Sequence, residues 1–478
     1  RLIGAAILTR PFDCFLLVVS LLLCQVAHAA GGAPPNVSAE LRRYGIPIEA
    51  VAIDVRPAEG GKPLVAINHT RAFKPASIMK LLTTQAALEL LGPDYRWVTR
   101  VYAQGLIEAD VLRGDLLVEG SGDPRFAHED LWRLLTRLRA LGLREIRGNL
   151  ILDRRLFRNE PHDPAAFDGR PDRAYNASPD ALLLDAKALT LLLQPRAVGQ
   201  VAQLASEPVL AGFTIEPPLT IDGPCNGLRD QLQPKFSAQG LRFGGGLPAT
   251  CGERELSFHL YTLDHRQYFG AVFRALWLQT GGVFNGSVVD GELRSDAREL
   301  TQWVSAPLAS QLRDINKFSN NVMARNLMLS LVARRGDVPA SSSAAVIRVV
   351  EWMKHAGLDS STLVLQNGSG LAREEKLSAA ALGALLQRAW QQPTMPEFVS
   401  SLPVAGMDGT MAKRFDNSPL KGRAHIKTGS LDDVASIAGY VTARSGKRLA
   451  VVAMINHPKA NETRPAFDQL LTWVYEHY

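Results

Sequence analysis

The chain has 478 residues, 46% of them hydrophobic and 21% charged, a balance that suits packed globular domains and excludes an intrinsically disordered protein. Its length implies two or three domains. The formal charge of +6 is spread along the chain with no Lys/Arg block, which argues against a nucleic-acid-binding arm and fits a generally cationic surface suited to an anionic polymer.

Arg1 and Arg10 precede an apolar run, Phe15 to Ala27, and Ala27-His28-Ala29 follows as an A-x-A cleavage signal. The run is shorter than the roughly 20 residues a membrane-spanning helix needs, so residues 1–29 read as a cleaved signal peptide and the mature protein as periplasmic. Cys24 follows the bulky Leu23 where a lipoprotein signal wants a small residue, so lipidation is disfavoured. Peripheral membrane association stays compatible with this reading. Of four cysteines, Cys14 and Cys24 leave with the signal; Cys225 and Cys251 remain and are expected to pair in an oxidising compartment. They carry no metal-ligand spacing and H-E-x-x-H is absent, so no cofactor is expected.

After a GGAPPN linker, Ser38 to Tyr44 reads as a short helix. EAVAIDVR and PLVAINH read as two strands joined by a hairpin at Pro57 to Lys62. Lys74 to Gly92, KPASIMKLLTTQAALELLG, reads as a helix with Pro75 in its first turn and Gly92 as its stop. At the far end HIKTG, VASIAGYVTA and RLAVVAMIN read as strands, and PAFDQLLTWVYEHY as a terminal helix. Strands at both ends imply one discontinuous domain, residues 36–92 and 262–478, with residues 93–180 and 181–261 inserted as two β-rich modules. The first insert holds a charged amphipathic helix, Glu129 to Gly142; the second holds Cys225 and Cys251. The fold class is α/β (α+β), an antiparallel sheet flanked by helices.

Ser77 and Lys80 stand three apart at the head of the Lys74–Gly92 helix and so share a face. A serine hydroxyl attacks only when a base takes its proton, and a lysine serves if desolvation or a neighbouring cation keeps it neutral. A second Ser-x-x-Lys, Ser418 to Lys421, contains Pro419 and precedes Gly422, and reads as a solvated turn. Ser319-Asn320-Asn321 heads another helical pattern, where a serine would also serve as an N-cap. Lys427-Thr428-Gly429-Ser430 closes the HIKTG strand.

In this order the three motifs resemble the fingerprint of the penicillin-recognising serine enzymes. The long interval between Ser77 and Ser319 is similar to that of the class C low-molecular-mass penicillin-binding proteins, the D-alanyl-D-alanine carboxypeptidase/endopeptidase family. GSGDP (Gly120 to Pro124), AYNASPDAL (Ala174 to Leu182), NGSGLAR (Asn367 to Arg373) and LPVAGMDGTM (Leu402 to Met411) also resemble that family's segments, with Asn367 standing where Asp is common. The resemblance implies a serine β-lactamase/penicillin-binding-protein-like transpeptidase fold, and peptidoglycan peptides and β-lactams as partners. It implies Ser77 as nucleophile, Lys80 as its base, Ser319 as proton relay and Asn321 as the holder of a substrate amide. Lys427 and Thr428 would meet the substrate carboxylate, Gly429 would leave the strand edge clear, and the N–H groups of Ser77 and Ser430 would form an oxyanion hole. Arg373 is either a contact for the peptide's diamino-acid side chain or a solvated residue beside Glu374 and Glu375. Asp168 and Asp172 are weaker candidates for the same pocket. No Glu-x-x-Leu-Asn segment supports a class A β-lactamase, and the intact motifs argue against a silent wall-binding protein.

Overall fold

The computed structural model describes residues 33–334 and 337–478, so the signal-peptide reading of residues 1–29 falls outside the described residues. β1 (Val51–Pro57) and β2 (Val65–Ile67) form the predicted hairpin. Strands β3 (Ala424–Leu431), β4 (Val434–Thr442) and β5 (Arg448–Asn456) form a meander near the other end of the chain. Together they make one antiparallel sheet in the order β2-β1-β5-β4-β3. The seam between the distant segments runs along β1 and β5, from Val51 opposite Ile455 to Pro57 opposite Leu449.

Both faces of this sheet are covered, which is why its strands read as apolar runs rather than as alternating ones. Ala450, Val452 and Met454 of β5 pack into a helical layer, whereas Val451, Ala453 and Ile455 pack with the N-terminal helix Pro35–Arg43 and the C-terminal helix Arg464–His477. The helical layer contains α1 (Lys80–Leu90), α2 (Leu308–Lys317) and α3 (Asn321–Ser330). Residues 80–88 of α1 are all buried, so that helix has no solvent face to give it an amphipathic signature. It is also shorter than predicted. Ala76 has φ 51°, and a 3₁₀ turn, Ala76–Met79, precedes the α-helix.

The inserted material builds a seven-stranded sheet on the long hairpin of strands 98–108 and 111–119. Here the predicted boundary at 262 is corrected. Helix His265–Gln279 buries Phe269, Val272, Phe273 and Trp277 with Leu134 and Leu138 of helix His128–Ala140. Val283–Phe284 pairs with Glu145–Ile146, and Arg298–Val304 pairs with the strand at 98–108. The chain therefore rejoins the first sheet's unit only after residue 304. Helical periodicity shows that a segment has an apolar face; it does not show which core that face joins. A three-stranded sheet of residues 188–194, 203–207 and 254–259 shares the same apolar cluster, and Cys225 and Cys251 are disulfide-bonded as expected.

Asp54 lies fully buried on β1. Arg56 donates to it through Nε and Nη2, each at 2.5 Å, and His69 Nδ1 lies 2.8 Å away. Gly383 makes room for this pair, since a Cβ there would stand 2.4 Å from Asp54 Oδ1. Asp54→Ala strands the buried Arg56 guanidinium and should cost about 3 kcal/mol, the usual scale for breaking a buried ion pair from one side. A lowered denaturant midpoint checks this; an unchanged midpoint contradicts it.

Candidate active site

The 3₁₀ turn at Ala76–Met79 has three residues per turn, which eclipses residues three apart and sets Ser77 over Lys80 more directly than an α-helix does. Lys80 Nζ lies 3.1 Å from Ser77 Oγ. It also donates to Asn321 Oδ1 and to the backbone carbonyl of Ser369, both at 2.5 Å. Asn321 is the first residue of α3. The N-cap of that helix is Asn320, whose side chain accepts from Met323 N (3.0 Å). The N-cap reading of Ser319 is thus corrected. Ser319 sits in the left-handed region at φ 58°, and its hydroxyl accepts from Lys427 Nζ (2.9 Å).

Lys427 lies on β3, the edge strand of the sheet, fully buried and opposite Ala438. Thr428, next along the strand, donates its hydroxyl to Thr410 Oγ1 (2.9 Å). Gly429 has a further physical reason beside the expected clear edge. A Cβ there would lie 2.8 Å from Ser77 N, 2.9 Å from Pro75 O and 2.4 Å from Ser436 Oγ, so glycine lets β3 close onto the serine turn. Ser436 Oγ donates to Pro75 O (2.6 Å) and ties the same junction. Ser430 is exposed, one residue further on.

The third wall is the 367–370 segment. Gly370 has φ 80°, and a Cβ on it would fall 1.9 Å from Ala76 O. Asn367 Oδ1 accepts from Ser369 N (3.0 Å) and Ser369 Oγ (2.6 Å), which fixes the carbonyl that Lys80 meets. Glu375, 1% exposed, accepts through Oε1 from the N–H groups of Gln366, Asn367 and Gly368. Ser369 and Glu375 are functional neighbours that the sequence reading missed. Glu375 stands beside charged, exposed residues, and no periodicity marks it as buried.

Arg373 is exposed, donates to Phe167 O (2.6 Å) and lies over the Phe167 ring at 5.0 Å, with no bond to the group around Lys80. Asp168 accepts from Tyr175 OH (2.7 Å) and Asn176 Nδ2 (2.9 Å) within its own loop, and Asp172 accepts from Arg229 (3.4 Å) on the helix Leu228–Leu232. Ser418 to Lys421 forms a turn closed by Lys421 N to Ser418 O (3.0 Å), with Lys421 exposed. His128, Glu129 and Asp185 cluster in the inserted region, where the hydrogen bond to Asp185 raises the His128 pKa to about 9.

Burial pushes the Lys80 ammonium well below the ordinary amine range, and the nearby cations Lys427 and Arg325 push it further, partly opposed by Glu375. Burial alone brings Lys427 down to about 7. For the neutral amine that these effects favour, counting donors sets the direction of the bonds. A neutral amine has two N–H groups and one lone pair, and Asn321 Oδ1 and Ser369 O can only accept. With both N–H groups so used, the lone pair faces Ser77 Oγ, the one partner with a proton to give. The arrangement can deprotonate a serine and, through Lys427 and Ser319, hold a second proton route beside it.

The family described as D-Ala-D-Ala carboxypeptidase 3 (S13) matches residues 35–475. The D-alanyl-D-alanine carboxypeptidase of Actinomadura sp. is 29% identical over 416 residues, 81% of this chain and 74% of that one. The D-alanyl-D-alanine carboxypeptidase DacB of Haemophilus influenzae is 25% identical, covering 81% of each chain. The crystal structure of penicillin binding protein 4 (dacB) from Haemophilus influenzae superposes with a TM-score of 0.75 at 23% identity, over 92% of this chain and all of that one. A second structure of that protein, complexed with a β-lactam, gives a TM-score of 0.71. The mixed α/β fold is therefore that of the penicillin-binding-protein/β-lactamase transpeptidase class.

Replacing Lys427 by methionine keeps bulk and removes a cation, so the Lys80 pKa should rise. Titrating isotope-labelled lysine by NMR reads this directly; an unmoved Lys80 resonance contradicts the electrostatic coupling.

Proposed function

Since the chain belongs to the D-Ala-D-Ala carboxypeptidase 3 (S13) family, we propose that it is a serine-type hydrolase that cleaves the D-alanyl-D-alanine bond of peptidoglycan stem peptides through an acyl-enzyme, both as carboxypeptidase and as endopeptidase. The observation that carries this reading is the buried Lys80 amine, with two obligate acceptors and one hydroxyl around it. Its relatives from Actinomadura and Haemophilus support the choice of bond. Ser77 Oγ attacks the carbonyl between the two D-alanines while Lys80 takes the hydroxyl proton. The backbone N–H groups of Ser77 and Ser430 meet the developing oxyanion, each worth ~3 kcal/mol where such donors have been removed. Ser319, bonded to Lys427, passes a proton to the departing amine. Asn321 spends Oδ1 on Lys80 and keeps Nδ2 for a carbonyl of the bound peptide. Lys427 and Thr428 receive the substrate's free carboxylate, and water then releases the acyl group. No cofactor enters any step. A protein with this reaction would work in the periplasm, where its substrate lies.

A β-lactam presents a strained amide at the same position and leaves an ester on Ser77. Wild-type protein should therefore be labelled covalently by a fluorescent penicillin and should release D-alanine from uncross-linked muropeptides. Ser77→Ala should do neither; labelling that survives it overturns the assignment. Gly370→Ala, which drives a methyl into the carbonyl of Ala76, should slow labelling about 100-fold, the cost of a misplaced reacting group. Labelling also needs Lys80 neutral, so its rate should fall as pH drops through the Lys80 pKa. Lys427→Met, by raising that pKa, should move the acidic limb to higher pH. A limb that stays in place or moves down contradicts the role of Lys80 as base.

A further inference from the structure

The outer edge of β3 is open along only part of its length. Segment 403–405 already pairs with the first part, through Ala405 N to Ala424 O (2.9 Å) and Ile426 N to Pro403 O (2.8 Å). Backbone groups of alternate residues face the same edge of a strand, so Thr428 and Ser430 come next. In the proposed reaction the scissile carbonyl sits at Ser430 N and the leaving residue's carboxylate at Thr428. A peptide laid along this edge therefore runs, past its scissile bond, toward a segment that has filled the edge. Thr410, on the same loop, stands at that end, with its Oγ1 2.9 Å from Thr428 Oγ1.

Buried charge holds the loop in place. Lys317, the last residue of α2 and 5% exposed, donates through Nζ to Leu402 O and Asp408 Oδ2, both at 2.7 Å. Asp408 Oδ1 in turn accepts from Val404 N (2.8 Å). Gly409 has φ 56°, and a Cβ there would lie 2.6 Å from Lys317 O, so glycine lets the loop turn tightly against α2. The ion pair with Lys317 also neutralises Asp408, whose charge would otherwise repel an anion arriving beside Thr410.

Donors for a carboxylate are scarce at this end of the cleft. Lys427 is fully buried and gives N–H groups to Ser319 Oγ (2.9 Å) and Thr428 O (2.7 Å), which leaves it at most one. Thr428 spends its single hydroxyl proton on Thr410 Oγ1. The uncommitted proton of the pair is that of Thr410, whose side chain is exposed. A carboxylate has two acceptor oxygens, and two hydroxyls 2.9 Å apart can each serve one of them.

We propose that Thr410 is a specificity-determining residue whose hydroxyl joins that of Thr428 in receiving the free carboxylate of the leaving residue, an assignment that rests on the proposed peptidase activity. Segment 402–411 thus recognises a chain end. It fills the strand edge past the scissile bond and supplies a donor to the terminal anion.

Two substrates with one acyl half separate this role from a structural one. The first is an N-acylated peptide ending in D-alanyl-D-alanine; the second is the same acyl-D-alanine as its methyl ester, whose leaving group has no carboxylate. In Thr410→Val the ratio of kcat/KM for the peptide to that for the ester should fall about tenfold or more, the loss of a hydrogen bond to a charged group. The fall should lie in KM, because the lost contact is made equally before and during reaction. Thr410→Ser, which keeps the hydroxyl, should restore the ratio to within about threefold of wild type. An unchanged ratio in Thr410→Val, whether both substrates are retained or both decline together, overturns the proposal, as does a ratio that Thr410→Ser leaves low. Normal cleavage by wild-type protein with an unchanged ratio in Thr410→Val removes this inference alone. Wild-type protein that hydrolyses neither substrate removes the peptidase reading and this inference with it.

Discussion

Everything around this site follows from burying one amine among neutral partners. Lys80 is fully enclosed, and its three hydrogen-bond partners, Ser77, Asn321 and Ser369, carry no charge. An ammonium in that position would forfeit its hydration without gaining a counter-ion, so the neutral form is favoured. Lys427 and Arg325 add positive potential in the same sense, and the carboxylate of Glu375, whose Oε1 accepts three backbone N–H groups, opposes them only in part. The chemistry of the serine is thus set by desolvation first and by specific charges second.

Such a site demands rigid walls, because a small displacement would admit water to the amine. The fold supplies them from segments far apart in the chain. The β1–β5 seam locks the two ends of the sequence into one sheet, and that sheet offers its free edge, β3, to the serine turn. Gly429 and Gly370 let strand and loop approach the turn from two sides at distances a side chain would forbid. The inserted sheet joins the unit through α2 and α3, and Asn326 of α3 bonds backbone carbonyls of the inserted region at Gly122 and Asp180. The same helix thus carries Asn321 toward the amine and anchors the insert.

Much of this was legible in the sequence. The strands of the first sheet announce themselves as apolar runs bounded by turns. Ser77, Lys80, Ser319 and Lys427 were picked out because their three motifs, taken in order, resemble the fingerprint of the penicillin-recognising serine enzymes; singly, each motif also reads as an ordinary cap or turn. The structure joins them by direct hydrogen bonds in two pairs, Ser77 with Lys80 and Ser319 with Lys427. What escaped was what local pattern does not encode. The return of the chain from insert to sheet was misplaced because His265–Gln279 is a good helix for either core. Glu375 went unmarked because its burial depends on a loop folding back over it. The steric task of Gly429 escaped because a close approach between a strand and a turn about 350 residues earlier leaves no trace in composition.

The central claim, a neutral Lys80 poised to take the Ser77 proton, is open to direct inspection by neutron diffraction from a deuterated crystal at neutral pH. The account requires two deuterons on Lys80 Nζ, directed at Asn321 Oδ1 and Ser369 O, with the Ser77 hydroxyl deuteron pointing at the nitrogen. Three deuterons on Nζ, one of them directed at Ser77 Oγ, would contradict it.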